Sequence, residues 1–317
     1  MMTKQLPINK GLPLQPSQPA VSVTPAMQRA LAKKQAITSL SLPLQPIEPS
    51  HNMSDYGFLF LGERGIGKTT LSSMFPNPLH LMFEPGGTSL RIRRVAVNSW
   101  EEALRYRDLV LSTKGYCNNV VVDTSYMSYE YCFAYKLNEF GISDPKDEGW
   151  GNAWKLIEKE FRDWYYSFLN NGIGVICIAH TEEKDIKQKV RLPNGKMSWE
   201  VVGTKLRTEI GAQATRLFKA IIDLEGYYYQ DWNRNGKRFL RIKANEMIEC
   251  KNRIDGHFLF TDGTVMEEIP MGISKQEAYA NLCKGFNNQF TKGEFEQYTP
   301  LQIESPSSSG KLLKRLT

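Results

Sequence analysis

Short apolar runs alternate with longer amphipathic stretches along the middle of the chain. Runs of the length and composition of buried strands lie at 56–61, 78–84, 118–125 and 173–181. Between them, Ser99 begins a capping-box pattern for a helix that continues to about Ser112. A later helical face, which we interpret as core and not as a base-stacking platform, comprises Trp150, Trp154, Ile157, Phe161, Trp164, Tyr165 and Phe168, with Gly172 after it. This alternation predicts an α/β fold, a mostly parallel sheet with helices on both faces.

The segment 221–255 has a different pattern. Its residues predict a strand, a turn at Asn-Arg-Asn-Gly, a second strand and then a further short strand. Neighbouring strands joined by a short turn pair antiparallel. We therefore expect antiparallel strands to be added to the sheet at its C-terminal side.

Both ends of the chain have a composition that buries too little apolar surface to pack. Residues 1–52 are proline-rich and repeat LPLQP at 12–16 and 42–46, which predicts a disordered arm. Within it, 24–36 has the pattern of a helix that either folds against a partner or stays transient in solvent. Residues 285–317 are polar and predict a flexible tail. The central domain is expected at 53–284.

Charge and cysteine content narrow the class of protein only slightly. A formal net charge of +6 makes nucleic acid a plausible partner without establishing one. The five cysteines contain no C-x-x-C pair, which indicates reduced core thiols, no zinc site and a cytoplasmic protein. No stretch has the length of an apolar membrane span, so we expect no membrane partner.

The first strand runs into the phosphate-binding P-loop pattern Gly62-x-x-x-x-Gly67-Lys68-Thr69. The position between a strand and a helix is the one in which this loop grips phosphates with backbone N–H groups. Lys68 is expected to reach the β- and γ-phosphates, and Thr69 to hold Mg²⁺. The predicted cofactors are ATP and Mg²⁺, and the predicted cofactor-binding residues are Gly62, Glu63, Arg64, Gly65, Ile66, Gly67, Lys68, Thr69 and Thr70.

Three polar residues end three successive buried strands and are expected to converge near the P-loop, because ligands of open α/β sheets bind beyond the carboxyl ends of the strands. Asp123 is a candidate magnesium ligand, and its alternative is a helix or turn cap. Glu84 is a candidate base for the attacking water, and its alternative is a buried paired acid. His180 is a candidate γ-phosphate sensor, and its alternative is a hydrogen-bonded residue at a strand end.

This order of motifs resembles the RecA-like P-loop ATPase core. AAA+ proteins instead tend to place a glutamate directly after the Walker B aspartate, where this chain has Thr124. GERGIGKTTL, FEPGG, VVVDT, IAHTEEKD, VGTKLRTEIG and IECKNRID are similar, in order and spacing, to the small phage ATPases with a trimmed RecA-like core that promote single-strand annealing. The resemblance covers about residues 55–260.

The resemblance to that family implies an ATP-hydrolysing protein that binds single-stranded DNA and assists recombination, annealing or repair. It implies a homo-oligomer, a ring or a filament, in the cytoplasm of a phage host. A single-strand-binding or annealing protein is a further expected partner, through the terminal arms. Lys251 and Arg253 lie on a KNR motif that resembles the one with which RecA-like subunits approach the neighbour's γ-phosphate, and their alternative is an ordinary ion pair at a strand edge.

The segment after His180 is rich in cations and has a turn signal at Pro193-Asn194-Gly195, which predicts a projecting hairpin. It resembles the DNA-contacting loop of RecA-like proteins, and its alternative is a solvated hairpin. The candidate DNA-binding residues are Lys184, Lys187, Lys189, Arg191 and Lys196.

Two rival functions share the P-loop. One is a kinase of nucleotides or small molecules that uses RIRR at 91–94 as a phosphate clamp. The other is a non-catalytic scaffold in which ATP orders the fold and the N-terminal arm recruits a replication protein. Against a kinase stand the strand-ending Glu84 and the lack of a recognisable arginine-rich lid.

Overall fold

The structure, a computed structural model, describes residues 44–298 apart from 148–150, 192–195 and 211. The chain divides into two units after Glu48, and the described helices and strands lie in the second unit, from Pro49 onward. The strands are β1 Gly57–Leu61, β2 Pro78–Met82, β3 Arg94–Ala96, β4 Asn119–Asp123, β5 Gly174–Ile178, β6 Thr181–Arg191, β7 Met197–Thr208, β8 Leu224–Asp231, β9 Lys237–Arg241, β10 Lys251–Asn252 and β11 Glu268–Pro270. The helices are α1 Lys68–Ser72, α2 Trp100–Ser112, α3 Ser125–Phe140, α4 Asn152–Leu169, α5 Ala212–Ile221, α6 Lys275–Phe286 and α7 Lys292–Glu296.

Nine strands form one sheet, in the order β3-β2-β4-β5-β1-β8-β9-β11, with β10 paired to β8 beside β9. The strands from β3 to β8 run parallel, and β9, β10 and β11 pair antiparallel at the far side. The predicted fold class, including the antiparallel addition at the C-terminal side, is confirmed. Strands β6 and β7 form a separate two-stranded ribbon.

Alternate residues of the central strands pack on opposite faces of the sheet, as the period of a strand requires. Leu59, Val122 and Cys177 join the core beneath α2, α3, α4 and α5, which also contains Trp100 and Trp164. Phe58, Phe60 and Ile176 join the core on the other face, beneath α1 and α6. On the predicted face of α4, Ile157, Phe161, Trp164, Tyr165 and Phe168 are buried, which confirms the interpretation as core for these residues. Trp154 is only partly buried, and Trp150 lies outside the described residues.

The packed chain continues beyond Gly285, where the sequence predicts a flexible tail. Helix α6 ends at Phe286, which is buried, and Phe290 is buried in the same core. Thr291 and Glu294 then form a capping box that begins α7. Two aromatic anchors therefore hold a polar segment that its composition alone suggested would not pack. The arm up to residue 43 and the tail from 299 lie outside the described residues.

Among the described residues, no helix combines the length and apolar character needed to cross a membrane. All five cysteines are free thiols, and four of them are buried.

Candidate functional site

The P-loop turns between β1 and α1 against the backbone of β8. Gly62 has φ +150°, and a Cβ at this position would lie 2.2 Å from the carbonyl oxygen of Tyr228. Only glycine tolerates so close a backbone approach. The loop leads directly into Lys68, the first residue of α1, whose first N–H groups have no acceptor within the helix. The loop therefore presents free backbone donors and a helix N-terminus at one point, as phosphate binding requires.

Lys68 is buried beneath this loop. Its Nζ donates hydrogen bonds to the carbonyl oxygens of Gly62 at 2.6 Å and Glu63 at 2.9 Å. Burial lowers the pKa of Lys68 to about 8, against the opposing effect of Asp123. The ammonium is thus held under the phosphate loop by groups that it can exchange for phosphate oxygens.

The third contact of Lys68 is with His180, which lies two residues beyond the end of β5. The two nitrogens, Lys68 Nζ and His180 Nδ1, are 3.3 Å apart. Because an ammonium group only donates, Nδ1 accepts, and a neutral imidazole then carries its proton on Nε2. Burial and then the Lys68 charge lower the pKa of His180, which favours that neutral form. His180 can therefore offer an N–H to a phosphate oxygen.

Thr69 and Asp123 bring two oxygen ligands together at a position suited to Mg²⁺. The Thr69 hydroxyl donates to Asp123 Oδ2 at 2.6 Å, so both oxygens face one point at the N-terminus of α1. Burial raises the pKa of Asp123, while Thr69 and Lys68 oppose the shift. Mg²⁺ prefers a few oxygen ligands together with water and phosphate. The pair fits this ion, and its role as a magnesium site stays a prediction.

Glu84 lies beside this pair, two residues beyond β2. The Thr124 hydroxyl donates to Glu84 Oε1 at 2.6 Å, and the backbone N–H of Phe83 donates to the Asp123 carbonyl at 2.7 Å. These bonds join the ends of β2 and β4 and point the Glu84 carboxylate toward the P-loop side of the sheet. The expected convergence of Glu84, Asp123 and His180 around Lys68 is therefore present in the fold, and their catalytic roles stay predictions.

Glu209 is a member of this site that the sequence did not reveal. The His180 backbone N–H donates to Glu209 Oε1 at 3.2 Å, and the Glu209 N–H donates to the His180 carbonyl at 3.1 Å. Ribbon strand β6 begins directly after His180, and β7 ends directly before Glu209. Both ends of the ribbon are consequently tied at the candidate γ-phosphate sensor. No local pattern marks Glu209, because its partner is 29 residues away.

The ribbon is the predicted hairpin, although its turn at 192–195 lies outside the described residues. The register pairs Lys187 with Val201, Lys189 with Trp199, and Arg191 with Met197. Paired residues of a two-stranded ribbon share a face. Three predicted DNA-binding cations therefore share one face with three apolar side chains that are more than half exposed, Met197 at 59%, Trp199 at 62% and Val201 at 56%.

The other two candidates, Lys184 and Lys196, do not share this face, and the register of the ribbon shifts between Ile186 and Lys187. Lys184 pairs with Lys205 below the bulge, on the opposite face. Lys196 lies just before β7 and is exposed. Within the face that Lys187, Lys189 and Arg191 share, the Lys189 ammonium lies 5.1 Å from the centre of the Trp199 ring, a cation–π contact. Sequence reasoning missed Trp199, because only the register shows that it lies beside Lys189.

Lys251 and Arg253 lie at the opposite end of the sheet from the P-loop. Lys251 Nζ donates to the carbonyl oxygens of Lys219 and of Ile222, the latter at 2.8 Å. Arg253 donates to Asp223 Oδ1 at 2.8 Å and to the carbonyl oxygen of Ala220 at 2.9 Å. Both cations therefore bind the C-terminal end of α5, where a helix dipole favours positive charge. They do not join the site of their own chain, so the predicted phosphate contact requires a neighbouring subunit.

Three comparisons with known proteins bear on the family of this chain, and one of them identifies it. A search of the curated proteins finds no match. A solved KaiC-like protein from the hyperthermophilic archaeon Pyrococcus horikoshii OT3 is 12% identical, with a TM-score of 0.39 over 73% of this chain and 97% of that chain. A likeness this weak supports no functional argument. The family model described as AAA domain matches residues 54–254, more than half of the chain, and spans the P-loop, Glu84, Asp123 and His180. The chain therefore belongs to the AAA domain family, whose members carry an ATPase-type nucleotide-binding core.

Proposed function

We propose that this protein is an ATPase that binds single-stranded DNA and acts in phage-type recombination, annealing or repair. The supporting observation is that one residue, His180, connects the P-loop site with the basic ribbon. The candidate γ-phosphate sensor His180 contacts Lys68 through its ring and ties both ends of the basic ribbon through its backbone. A chain that only stored ATP would not need its projecting cationic ribbon fixed at this residue.

Each residue of the site has a part in the proposed hydrolysis. The P-loop N–H groups and Lys68 bind and orient the β- and γ-phosphates. Thr69 and Asp123 would hold Mg²⁺, which when bound would neutralise charge on the phosphate oxygens. Glu84, oriented by Thr124, accepts a proton from the attacking water. His180 donates its Nε2–H toward a terminal phosphate oxygen and so responds to the presence of that phosphate.

The ribbon provides the proposed DNA surface. Lys187, Lys189 and Arg191 offer charge to the phosphates of a single strand, while the exposed Trp199 ring offers a stacking surface for a base. Single strands differ from duplexes in having free base faces, so a surface of mixed cations and aromatics favours them. A small movement of His180 reaches this surface through both strands of the ribbon.

One of the three arginines in the phosphate clamp of the kinase alternative is held away from the nucleotide. Arg93 donates to the carbonyl oxygens of Tyr116 and Asn77, at 2.9 Å and 2.8 Å, and Asn77 immediately precedes β2. Arg93 is thus held at the amino end of the parallel strands, whereas the P-loop lies at their carboxyl end. An arginine anchored there cannot close over the nucleotide of the same chain.

The test is ATP turnover measured with and without single-stranded DNA, in the wild type and in Lys68→Ala. We expect DNA to stimulate turnover in the wild type, and Lys68→Ala to abolish turnover because a γ-phosphate contact is removed while the loop backbone remains. Lys114→Ala, an exposed lysine after α2, is the control and should behave as the wild type. Phosphate transfer to an acceptor other than water would favour the kinase, and the absence of turnover would favour the scaffold.

A further inference from the structure

Glu209 is a carboxylate in the candidate site to which the proposed hydrolysis assigns no role. It is half-buried, and its Oε1 accepts a hydrogen bond from the backbone N–H of His180 at 3.2 Å. Among the described residues, nothing donates a hydrogen bond to Oε2, and no cation forms an ion pair with the carboxylate. In this part of the chain, the charge of Glu209 is therefore left without a direct cationic partner.

The negative charge of Glu209 acts on the two groups that are expected to contact the terminal phosphate. Burial lowers the pKa of Lys68 and of His180, and the Glu209 charge is among the effects that oppose this shift at both groups. The carboxylate thus supplies negative charge to the ammonium and to the imidazole. A terminal phosphate would supply the same charge to the same groups, and like charges in a partly buried site repel each other.

The contacts around Glu209 decide which part of the site can respond to this repulsion. The P-loop is held on its other side, because Arg238 Nη1 of β9 donates to the Ile66 carbonyl at 3.4 Å. The two chain neighbours of Glu209, Thr208 and Ile210, are both buried, which fixes the end of β7. The part that can move is therefore the Glu209 side chain, and its movement would break the hydrogen bond to Oε1.

That hydrogen bond is one of two that close the base of the ribbon at His180. The other runs between backbone atoms, from the Glu209 N–H to the His180 carbonyl, at 3.1 Å. Strand β6 begins at Thr181, directly after His180, so loss of the side-chain bond would loosen β6 where it leaves the candidate sensor. The three cations of the proposed DNA surface lie on this strand. A change at Glu209 can therefore reach the DNA surface along β6.

We propose that Glu209 is the positioning residue through which a terminal phosphate changes the DNA affinity of the ribbon. The γ-phosphate of ATP repels its carboxylate and breaks the bond to the His180 N–H, whereas ADP, which lacks that phosphate, leaves the bond in place. Glu209 thus acts on DNA through β6 and not by contact. The inference rests on the proposed function and deepens it, because it assigns the group that makes DNA affinity depend on the nucleotide.

The experiment measures the affinity for single-stranded DNA in two nucleotide states, with Mg²⁺ and either ADP or a non-hydrolysable ATP analogue at saturation. In the wild type we expect the two affinities to differ by about tenfold, within the usual range of coupling between two sites. Glu209→Gln keeps an oxygen that can accept the His180 N–H and removes the charge, so the two affinities should become equal. The same variant should bind the ATP analogue more tightly, relative to ADP, than the wild type does, because the repulsion at the terminal phosphate is gone.

Glu183→Gln is the matched control, because it removes an exposed carboxylate from β6 for which the structure shows no partner among the described residues. It should change DNA affinity equally in both nucleotide states and so keep the wild-type ratio. Glu209→Asp retains the charge and should keep a ratio above that of Glu209→Gln. Glu209→Ala removes the charge together with the hydrogen bond; it should also lose the ratio, and it replaces Glu209→Gln if that variant does not fold.

An unchanged ratio in Glu209→Gln would overturn the inference, because Glu209 would then act only through the hydrogen bond that this variant retains. Equal DNA affinities of the wild type in the two nucleotide states would overturn it as well, while leaving nucleotide binding and DNA binding intact. A wild type that binds no nucleotide or no DNA would instead remove the proposed function on which the inference rests.

Discussion

Glu84 is the side chain whose role most directly separates hydrolysis from simple binding. Its carboxylate is held by the Thr124 hydroxyl beside Asp123, and it has no part in the P-loop itself. Glu84→Gln keeps the shape and the hydrogen bond but cannot accept a proton from water. We expect this variant to bind ATP normally and to hydrolyse it roughly 10²–10⁴-fold more slowly, the usual effect of removing a positioned base. Single-turnover hydrolysis and equilibrium ATP binding measure the two effects separately.

Thr124→Val is the companion variant, because it leaves the carboxylate in place and removes only the hydroxyl that orients it. A smaller loss of rate than in Glu84→Gln would match a positioning role for Thr124. Wild-type turnover in Glu84→Gln would show that another group activates the water, and loss of ATP binding would assign Glu84 to the structure of the site.

Glu225 is a buried carboxyl group that makes the stability of the fold depend on pH. It lies on β8 with 3% of its surface exposed, and burial raises its pKa from 4.5 to about 7. The charged groups that act on it are Lys219 of α5, Lys251 of β10 and Glu249. The folded protein therefore binds this proton more tightly than the unfolded chain. The stability that this proton contributes is fully present below pH 4.5 and is lost as the pH rises through 7.

Glu225→Gln removes this titration without changing the shape of the side chain. We expect urea unfolding to show that the wild type loses up to about 3 kcal/mol of stability between roughly pH 4.5 and pH 8 through this group, and that the variant does not lose this share. The exposed Glu246→Gln is the control and should retain the wild-type pH dependence. Parallel pH profiles for wild type and Glu225→Gln would contradict the shifted pKa.

The residues of the site differ in how far the sequence could predict them. Glu84, Asp123 and His180 follow buried parallel strands, and the carboxyl ends of such strands meet at one edge, so a local pattern predicts their convergence. Glu209 and Arg238 reach the site only because β7 and β9 return to it. Their contacts join residues that are 29 and 172 positions apart, and such contacts leave no local pattern.

The ribbon shows a similar limit of sequence-based prediction, because the sequence alone could not predict which side chains of its two strands share a face. The turn signal and the cation-rich composition predicted a projecting hairpin, but the face that each side chain occupies depends on the register. Lys187, Lys189 and Arg191 share the outer face of the ribbon with Trp199, whereas Lys184 pairs with Lys205 on the opposite face. Since a register shift of one residue exchanges the faces of a strand, sequence alone could not select the binding face.

The outer face of the ribbon gives a prediction that separates charge from stacking. Replacing Lys187, Lys189 and Arg191 with Ala should weaken binding of single-stranded DNA and flatten its salt dependence, by about 0.7 in the logarithmic slope for each lost phosphate contact. Trp199→Ala should weaken binding by about 1–3 kcal/mol with the slope unchanged, because stacking releases no counterions. Salt titrations of DNA affinity measure both effects, and ATP affinity should stay at the wild-type value in all variants.

A charge-matched control replaces three exposed lysines outside the ribbon, Lys114, Lys243 and Lys292, with Ala. If this control flattens the slope as much as the ribbon triple variant does, the effect comes from net charge and not from a ribbon contact. A ribbon triple variant with a wild-type slope would leave the ribbon as a solvated hairpin.

The parallel sheet gives the molecule two chemically different ends. The carboxyl end of the strands holds the P-loop, Glu84, Asp123 and His180, whereas the amino end holds Lys251 and Arg253 against the last turn of α5. Subunits stacked head to tail would place the amino end of one against the carboxyl end of the next. Such heterologous contacts generate rings or filaments. Within the described residues, these two cations thus have a structural role in their own chain. In such an assembly they would also lie close to the phosphate site of a neighbouring subunit.

Mixing two inactive variants tests whether Arg253 of one subunit contributes to the phosphate site of the next subunit. Lys68→Ala has a defective P-loop and intact Arg253, and Arg253→Ala has the reverse. A shared site needs a P-loop with Lys68 from one subunit and Arg253 from its neighbour. In a random equal mixture, about a quarter of the interfaces combine both intact halves, so we expect about a quarter of wild-type turnover. Each variant alone should stay inactive at the same concentration. If the mixture shows only the sum of its parts, or if Arg253→Ala is fully active alone, then Arg253 serves only to bind the end of α5, and the phosphate charge is stabilised within one chain.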